Sequence, residues 1–144
     1  MVTDTDAPWA EVAPLTADML HLMPDDGWRY ELVQGTLVRM PPTGYDHGWI
    51  AANLIGILQP FVRERQLGAV LSSETGFILS LEGEPDTVLA PDAAFVSHGR
   101  APAHPCGFAR LAPDLAVEVA SPGQTRFQMD AKARLYRAAG VRVV

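Results

Sequence analysis

Residues 112–122, with the sequence APDLAVEVASP, are the stretch that decides the fold. Its centre, from Leu115 to Ala120, is apolar apart from Glu118, and Ser121-Pro122-Gly123 ends the run. Short, nearly continuous apolar runs are typical of strands buried on both faces of a sheet, so we predict a central strand over 115–120. A carboxylate in such a strand is costly unless it is paired, protonated or bound to a metal. Glu118 is therefore a candidate functional residue, or else a strand-end residue that points to solvent or to an arginine.

Upstream of this stretch, the pattern predicts further strands. Two runs, 28–33 and 36–40, are separated by Gln34-Gly35 and predict a β-hairpin. Shorter strand-like runs follow at 69–71, 76–81, 87–89 and 93–96. A loop rich in Pro, Gly and His then occupies 97–112.

Three segments have helical patterns. Thr16 is placed to cap a short helix through Met23, and Thr125 to cap a final helix that ends at Gly140. The longest helix is expected over 46–66, with Gly68 ending it and Pro60 kinking or splitting it. Its predicted buried face consists of Ile50, Leu54, Ile57, Leu58, Phe61 and Val62. The predicted fold class is α/β, with a mixed, curved β-sheet flanked by helices.

The length of 144 residues fits one domain. We expect a flexible N-terminal arm over 1–15 and a single domain over 16–144. A strand-like run begins at Val141 and the sequence stops within it, which predicts an incomplete domain that lacks its last strands. An open sheet edge of that kind would offer a surface for a homodimer.

Charge and composition narrow the functional classes. The formal net charge of −6 argues against tight non-specific binding to nucleic acid, which requires a basic face. Cys106 is the only cysteine, so an internal disulfide is excluded and a reducing compartment is favoured. No apolar run is long enough to span a membrane, and the acidic N-terminus does not resemble a signal peptide. The expected location is the cytoplasm.

Asp92 is the second candidate carboxylate. It follows Pro91 and directly precedes the strand-like run 93–96, so it could project from the start of a strand, although aspartate beside proline is also common in turns. Two carboxylates at neighbouring strands would suit Mg²⁺, which takes one or two carboxylates together with waters and phosphate oxygens. That pair is the minimum needed for metal-assisted hydrolysis of a phosphodiester.

The sequence resembles the Uma2 family of restriction-endonuclease-like proteins, within the PD-(D/E)XK nuclease superfamily. The resemblance covers about residues 16–144 and rests on four motifs that occur in the family's order. These are YELVQG at 30–35, PDAAFV at 91–96, APDLAVEVASP at 112–122 and KARLYRAAGV at 132–141.

The resemblance implies a set of site residues. Asp92 and Glu118 would bind Mg²⁺ or Mn²⁺, and Lys132 would orient the attacking water or stabilise charge on the phosphate. The basic superfamily pattern places a lysine two residues after the second acid, where this chain has Ala120; Lys132 matches the lysine that family members carry on the following helix. Glu31 would complete the acidic cluster, and His47 would contact a phosphate or relay a proton. The implied substrate is DNA.

Each assignment has an ordinary structural alternative. Lys132 could be a solvated helix lysine, Glu31 could pair with Arg29 or Arg39 in the hairpin, and His47 could cap or pack. The pattern also departs from the family at Gln124, where an aspartate is usual. A second function therefore stays open: a catalytically silent, truncated nuclease fold or a protein–protein interaction module.

Overall fold

A computed structural model describes residues 13–102 and 106–144. It has an α/β architecture in which seven strands form two sheets and three α-helices pack beside them. The helices are α1 (Ala17–His21), α2 (Tyr45–Glu64) and α3 (Arg126–Ala138), with a short 3₁₀ helix at His98–Arg100. The strands are β1 (Arg29–Val33), β2 (Thr36–Met40), β3 (Gly68–Ser72), β4 (Phe77–Ile78), β5 (Val88–Leu89), β6 (Ala93–Ser97) and β7 (Leu115–Val117).

The α/β class is confirmed, but the expected single sheet is divided. One sheet has the strand order β2-β1-β5-β4 and the other has the order β3-β6-β7. All pairs of these strands are antiparallel, and parallel pairing within 13–102 and 106–144 is limited to isolated bridges between Phe77 and Ala109 and between Leu115 and Val143. Strands β4 and β5 have only two residues each, too few to extend a continuous curved sheet.

The predicted hairpin is confirmed, and its turn explains the register. Gln34 and Gly35 have φ angles of 47° and 75°, the pair of positive values that a two-residue type I′ turn requires. The turn pairs Arg29 with Met40 and Val33 with Thr36. Alternate residues of both strands therefore share one face, so Glu31 and its partner Val38 lie on the same side of the hairpin.

The central strand predicted over 115–120 is wrong in length and in place. Strand β7 ends at Val117, so Glu118 lies one residue beyond it. Strand β7 is the last in the order of its sheet, and among the described residues its other side has only the isolated bridge to Val143. Its burial comes from packing instead, because Ala116 belongs to a core cluster with Phe77, Leu89 and Tyr136. The strand expected from Val141 is represented by that bridge alone among the described residues.

Helix α2 departs from the expectation in two ways. It runs unbroken through Pro60, because Pro60 and Gly56 both lie on the exposed side, where water can satisfy the carbonyl that proline leaves unpaired. The predicted apolar face is only partly buried: Ile57 is 72% exposed and Phe61 50% exposed, whereas Val62 is buried. The side of α2 that packs toward the β3 sheet is a narrower stripe, with His47 and Val62 at its two buried ends.

Both shorter helices begin at the predicted caps. Thr16 Oγ1 accepts a hydrogen bond from Met19 N, and Thr125 forms a reciprocal capping box with Gln128.

Of the N-terminal arm expected over 1–15, residues 1–12 lie outside the described part of the chain. Leu15, within the described part, donates its backbone N–H to the carbonyl of Gly35 at 2.9 Å. Among the described residues, no helix is both long and apolar enough to cross a membrane.

Candidate metal and nucleic-acid site

The pairing of β6 with β7 brings the two candidate carboxylates together. Ala93 pairs with Val117 in this antiparallel ladder, so the next residues outward, Asp92 and Glu118, are opposite each other. Residues in opposite positions of neighbouring strands project from the same face of a sheet. The backbone N–H of Val119 donates to Asp92 Oδ2 at 2.7 Å, which ties the two strand ends together.

His47 approaches Asp92 from the first turn of α2. Its Nε2 lies 3.2 Å from Asp92 Oδ2, and the His47 side chain is buried. One carboxylate oxygen of Asp92 is thus shared between the Val119 amide and the imidazole. Among the described residues, no hydrogen bond engages Oδ1 of Asp92, so this oxygen keeps its capacity to bind a ligand.

Lys132 joins the two remaining acidic residues of the site. Its Nζ lies 2.9 Å from Glu31 Oε1 and 3.0 Å from the Glu118 carboxylate. Glu31 Oε1 also accepts the backbone N–H of Ala90 at 2.9 Å. Glu31 therefore does not pair within the hairpin, the alternative that the sequence left open, and Lys132 is not a solvated helix lysine.

Tyr136 is a further member of this cluster, outside the set of site residues that the resemblance implies. It is fully buried, and its hydroxyl donates to Glu118 Oε1 at 2.5 Å. Tyr136 follows Lys132 by one helical turn, so both side chains project from the same side of α3 toward Glu118. The signal that could have identified it is this spacing of four residues between a lysine and a tyrosine in an amphipathic helix.

The electrostatics follow from the single ammonium of Lys132, which contacts the buried carboxylate of Glu31 and the largely buried carboxylate of Glu118. Burial raises the pKa of Glu118, and the attraction of Lys132 and the hydrogen bond from Tyr136 offset only part of that rise. Burial opposes the charge of Lys132, but Glu118 and Glu31 together outweigh it and raise the pKa of Lys132. Burial and the adjacent Glu118 also raise the pKa of Tyr136, so its hydroxyl stays protonated and can only donate to the carboxylate.

These side chains line one small pocket of about 50 Å³. The five residues predicted from the sequence all contribute to it: Glu31, His47, Asp92, Glu118 and Lys132. Arg29 and Gln124 are among the other residues that line it. Gln124 Oε1 accepts the backbone N–H of Ser121 at 2.9 Å, so the residue that departs from the family pattern is fixed at the site by its own turn.

The donor set suits a hard cation that needs few protein ligands. Among residues 13–102 and 106–144, no group of three or more His, Cys, Asp or Glu side chains is arranged as a metal-binding cluster. Zinc and calcium sites commonly use such clusters, whereas Mg²⁺ is often held by one or two carboxylates and completes its shell with water and phosphate. Asp92 and Glu118 offer two carboxylates at the same end of two paired strands.

The fold is shared with a solved structure. A crystal structure entitled "putative nuclease belonging to DUF820", from Anabaena variabilis, superposes with a TM-score of 0.71. The two sequences are 18% identical, and the match covers 85% of this chain and 68% of that chain. At this level of identity the similarity concerns the fold alone. No curated protein matches the sequence.

The family is shown by a sequence profile. The profile of the Uma2 family, described as "Putative restriction endonuclease", matches residues 17–144. The matched segment contains both candidate carboxylates, Lys132 and the helix that carries it. Because the match extends over most of the sequence, this chain belongs to the Uma2 family.

Proposed function

We propose that this chain is a Mg²⁺- or Mn²⁺-dependent endonuclease that hydrolyses phosphodiester bonds of DNA. The observation that carries the proposal is the convergence of Asp92, Glu118 and Lys132 on one pocket, with Lys132 held between Glu31 and Glu118. Membership of a family described as restriction endonucleases supports the reaction class. The fold shared with a protein described as a nuclease is consistent with it.

Asp92 and Glu118 would hold the metal, which when bound lowers the pKa of water and draws electrons from the scissile phosphate. The chain's own residues would prepare the site for that chemistry. Tyr136 and Lys132 fix both oxygens of Glu118, and Val119 N–H fixes one oxygen of Asp92, so the carboxylates are oriented before substrate arrives. Side chains held in place in this way avoid a reorganisation cost during the reaction.

Lys132 would act as a fixed positive charge. Because its pKa is raised, the amine stays protonated at neutral pH and cannot serve as a general base. Its ammonium can stabilise negative charge that develops on phosphoryl oxygens, or orient the attacking water by donating to it. Glu31 holds Lys132 in this position through the contact at 2.9 Å.

His47 would assist from the other side of the pocket. Its Nε2 contacts Asp92, so the imidazole can orient that carboxylate and can exchange a proton with a water in the pocket. Its burial at the start of α2 holds the ring in place.

The test is metal binding followed by nicking of supercoiled plasmid DNA. We expect the unaltered chain to bind Mn²⁺ in calorimetry, and the binding to be lost in Asp92→Ala and in Glu118→Ala. Nicking should fall by about 10²-fold or more in both variants, because each removes a charge that acts in the transition state. The matched control is Glu82→Ala, which removes an exposed carboxylate outside the pocket.

Two outcomes would contradict the proposal. Metal-dependent nicking that survives Asp92→Ala would show that the metal is bound elsewhere. Absence of metal binding in a chain with a normal circular dichroism spectrum and a cooperative melt would instead favour the silent fold or interaction module. The structural explanation for absent metal binding would then be that Lys132 and Tyr136 already occupy both oxygens of Glu118.

A further inference from the structure

A second, larger cavity adjoins the candidate site and has no role in the chemistry above. It is a groove of about 310 Å³ between the β1–β2 hairpin and α3. Glu31 and Lys132 line both this groove and the pocket that contains Asp92 and Glu118. A group bound in the groove would therefore lie next to a phosphate positioned at the carboxylates.

The hairpin side of the groove is apolar. The register of β1 and β2 places Val33, Val38 and Met40 on the face that carries Glu31. The opposite wall contains Phe127, in the first turn of α3, whose side chain is 74% exposed. An aromatic ring at the rim of an apolar groove offers a face on which a planar ring can stack.

Two amide side chains add oriented hydrogen-bond donors. Gln124 Oε1 accepts from Ser121 N and Gln128 Oε1 accepts from Thr125 N, each at 2.9 Å. Because both carbonyl oxygens are engaged by backbone N–H groups, the NH₂ ends are the parts left to donate. Both residues line the groove. An apolar floor, a stacking face and amide donors form the combination that recognises a base through its ring and its acceptor atoms.

The charge of the molecule favours base contacts over phosphate contacts. The net charge is −6, and the ammonium of Lys132, which lines the groove, already contacts two carboxylates. A protein that held duplex DNA by its backbone would need several free cations along one face. Unpaired nucleotides can instead contribute binding energy through the stacking of their bases on aromatic side chains.

We propose, as an extension of the proposed nuclease function, that this groove binds an unpaired nucleobase next to the scissile phosphate. The substrate class is then single-stranded DNA, or DNA with unpaired nucleotides at the cleavage position. A base within a duplex is stacked between its neighbours and paired, so it cannot enter the groove unless it is flipped out.

The test measures binding of a single-stranded oligodeoxynucleotide that contains the fluorescent base 2-aminopurine, with Ca²⁺ in place of Mg²⁺ and a gel to show that the strand stays intact. We expect quenching of 2-aminopurine and tighter binding of the single strand than of a duplex of the same sequence. Phe127→Ala should weaken single-strand binding by about 5- to 150-fold, the effect of losing one stacked base. Phe127→Trp should retain it.

The matched control is Phe61→Ala on α2. Phe61 is also a half-exposed aromatic residue, with Arg65 over its ring at 4.1 Å, but it does not line the groove. Both phenylalanines are exposed enough that their removal should leave the thermal midpoint nearly unchanged. A loss of binding in the Phe127 variant alone therefore cannot come from unfolding.

Equal affinity for single strand and duplex, or unchanged binding in Phe127→Ala, would overturn the inference. A dimer in sedimentation experiments that Phe127→Ala dissociates would overturn it too, because the groove would then be a contact between copies. This failure is distinct from failure of the proposed function. If only the groove inference fails, Mn²⁺ binding and plasmid nicking persist without any preference for unpaired bases. If the proposed nuclease function fails, Mn²⁺ binding and nicking are both absent, whatever occupies the groove.

Discussion

At the scale of single residues, Glu118 is placed where a carboxylate is disfavoured. Its side chain is about 12% exposed, and it shares one ammonium with Glu31. Burial raises its pKa even though Lys132 and Tyr136 both stabilise the ionised form. A residue that costs stability in this way is typical of functional sites, where the arrangement needed for chemistry conflicts with the most stable packing.

We therefore expect Glu118→Gln to make the protein more stable at neutral pH. The folded pKa of Glu118 lies above its unfolded value, so the ionised carboxylate lowers stability at any pH above that raised pKa. Removing the charge leaves Lys132 paired with Glu31 alone. Urea unfolding would measure the gain as a higher free energy of unfolding at neutral pH.

The pH dependence of the free energy of unfolding distinguishes the effect of removing the Glu118 charge from an effect of changed packing. As the pH falls through the raised pKa, Glu118 takes up a proton and its penalty disappears, so the advantage of Glu118→Gln should shrink toward zero in acid. Glu82→Gln, at an exposed position, should stay within about 0.5 kcal/mol of the parent chain at every pH. If Glu118→Gln is less stable than the parent chain at pH 7, the ion pair between Glu118 and Lys132 stabilises the fold by more than the burial of Glu118 destabilises it.

At the scale of elements, α2 shows how little an apolar pattern reveals about which side of a helix has a neighbour. The helix contacts the β3 sheet along one narrow stripe, and the apolar residues beside that stripe are exposed. Periodicity identified the helix correctly because a spacing of three or four residues is a local property of the chain. Which residues of a broad apolar surface become buried depends on the element placed against it.

Two substitutions on α2 should distinguish these sides. Ile57→Lys should change the free energy of unfolding by less than about 0.5 kcal/mol, because Ile57 is 72% exposed. Val62→Ala should cost about 1–3 kcal/mol, because Val62 is 5% exposed and its methyl groups leave a cavity. Denaturant unfolding measures both. A large loss in Ile57→Lys would show that this side of α2 is covered in solution.

At the scale of the whole molecule, the acidic balance sets how nucleic acid can be held. The chain has 11 Lys and Arg against 17 Asp and Glu. Near the site, Arg29 and Lys132 line the pocket, and Arg39 lies on the hairpin with its guanidinium over the ring of Trp28 at 4.1 Å. Arg29 and Lys132 are therefore the cations placed to contact phosphates inside the pocket itself.

We expect single-strand binding to depend weakly on salt. One or two phosphate contacts give a slope of about −0.7 to −1.4 in a plot of log K against log salt concentration. Arg29→Gln should make this slope shallower, since Arg29 lines the pocket, whereas Arg110→Gln should leave it unchanged, since Arg110 pairs with Asp18 away from the site. A slope steeper than about −4 would indicate an extended basic surface and would contradict base stacking as the main contribution.

The sequence determined by itself what is local. It located the hairpin at Gln34-Gly35, the caps at Thr16 and Thr125, and the amphipathic helix that carries Lys132, because turn geometry, capping and periodicity depend on neighbouring residues. Together with the family motifs, it also selected five side chains that the structure brings to one pocket. Their roles in binding and catalysis are proposals that the experiments above test.

Only the tertiary structure decided which partners these groups acquire. Glu31 meets Lys132 across 101 residues of sequence, and no local pattern could choose Lys132 over Arg29 or Arg39. The division into two sheets, the place of β7 last in its sheet and the contact of Tyr136 with Glu118 likewise depend on packing between distant segments. The physical reason is that burial and ion pairing are fixed by what lies across the core, whereas helix and turn propensities are fixed along the chain.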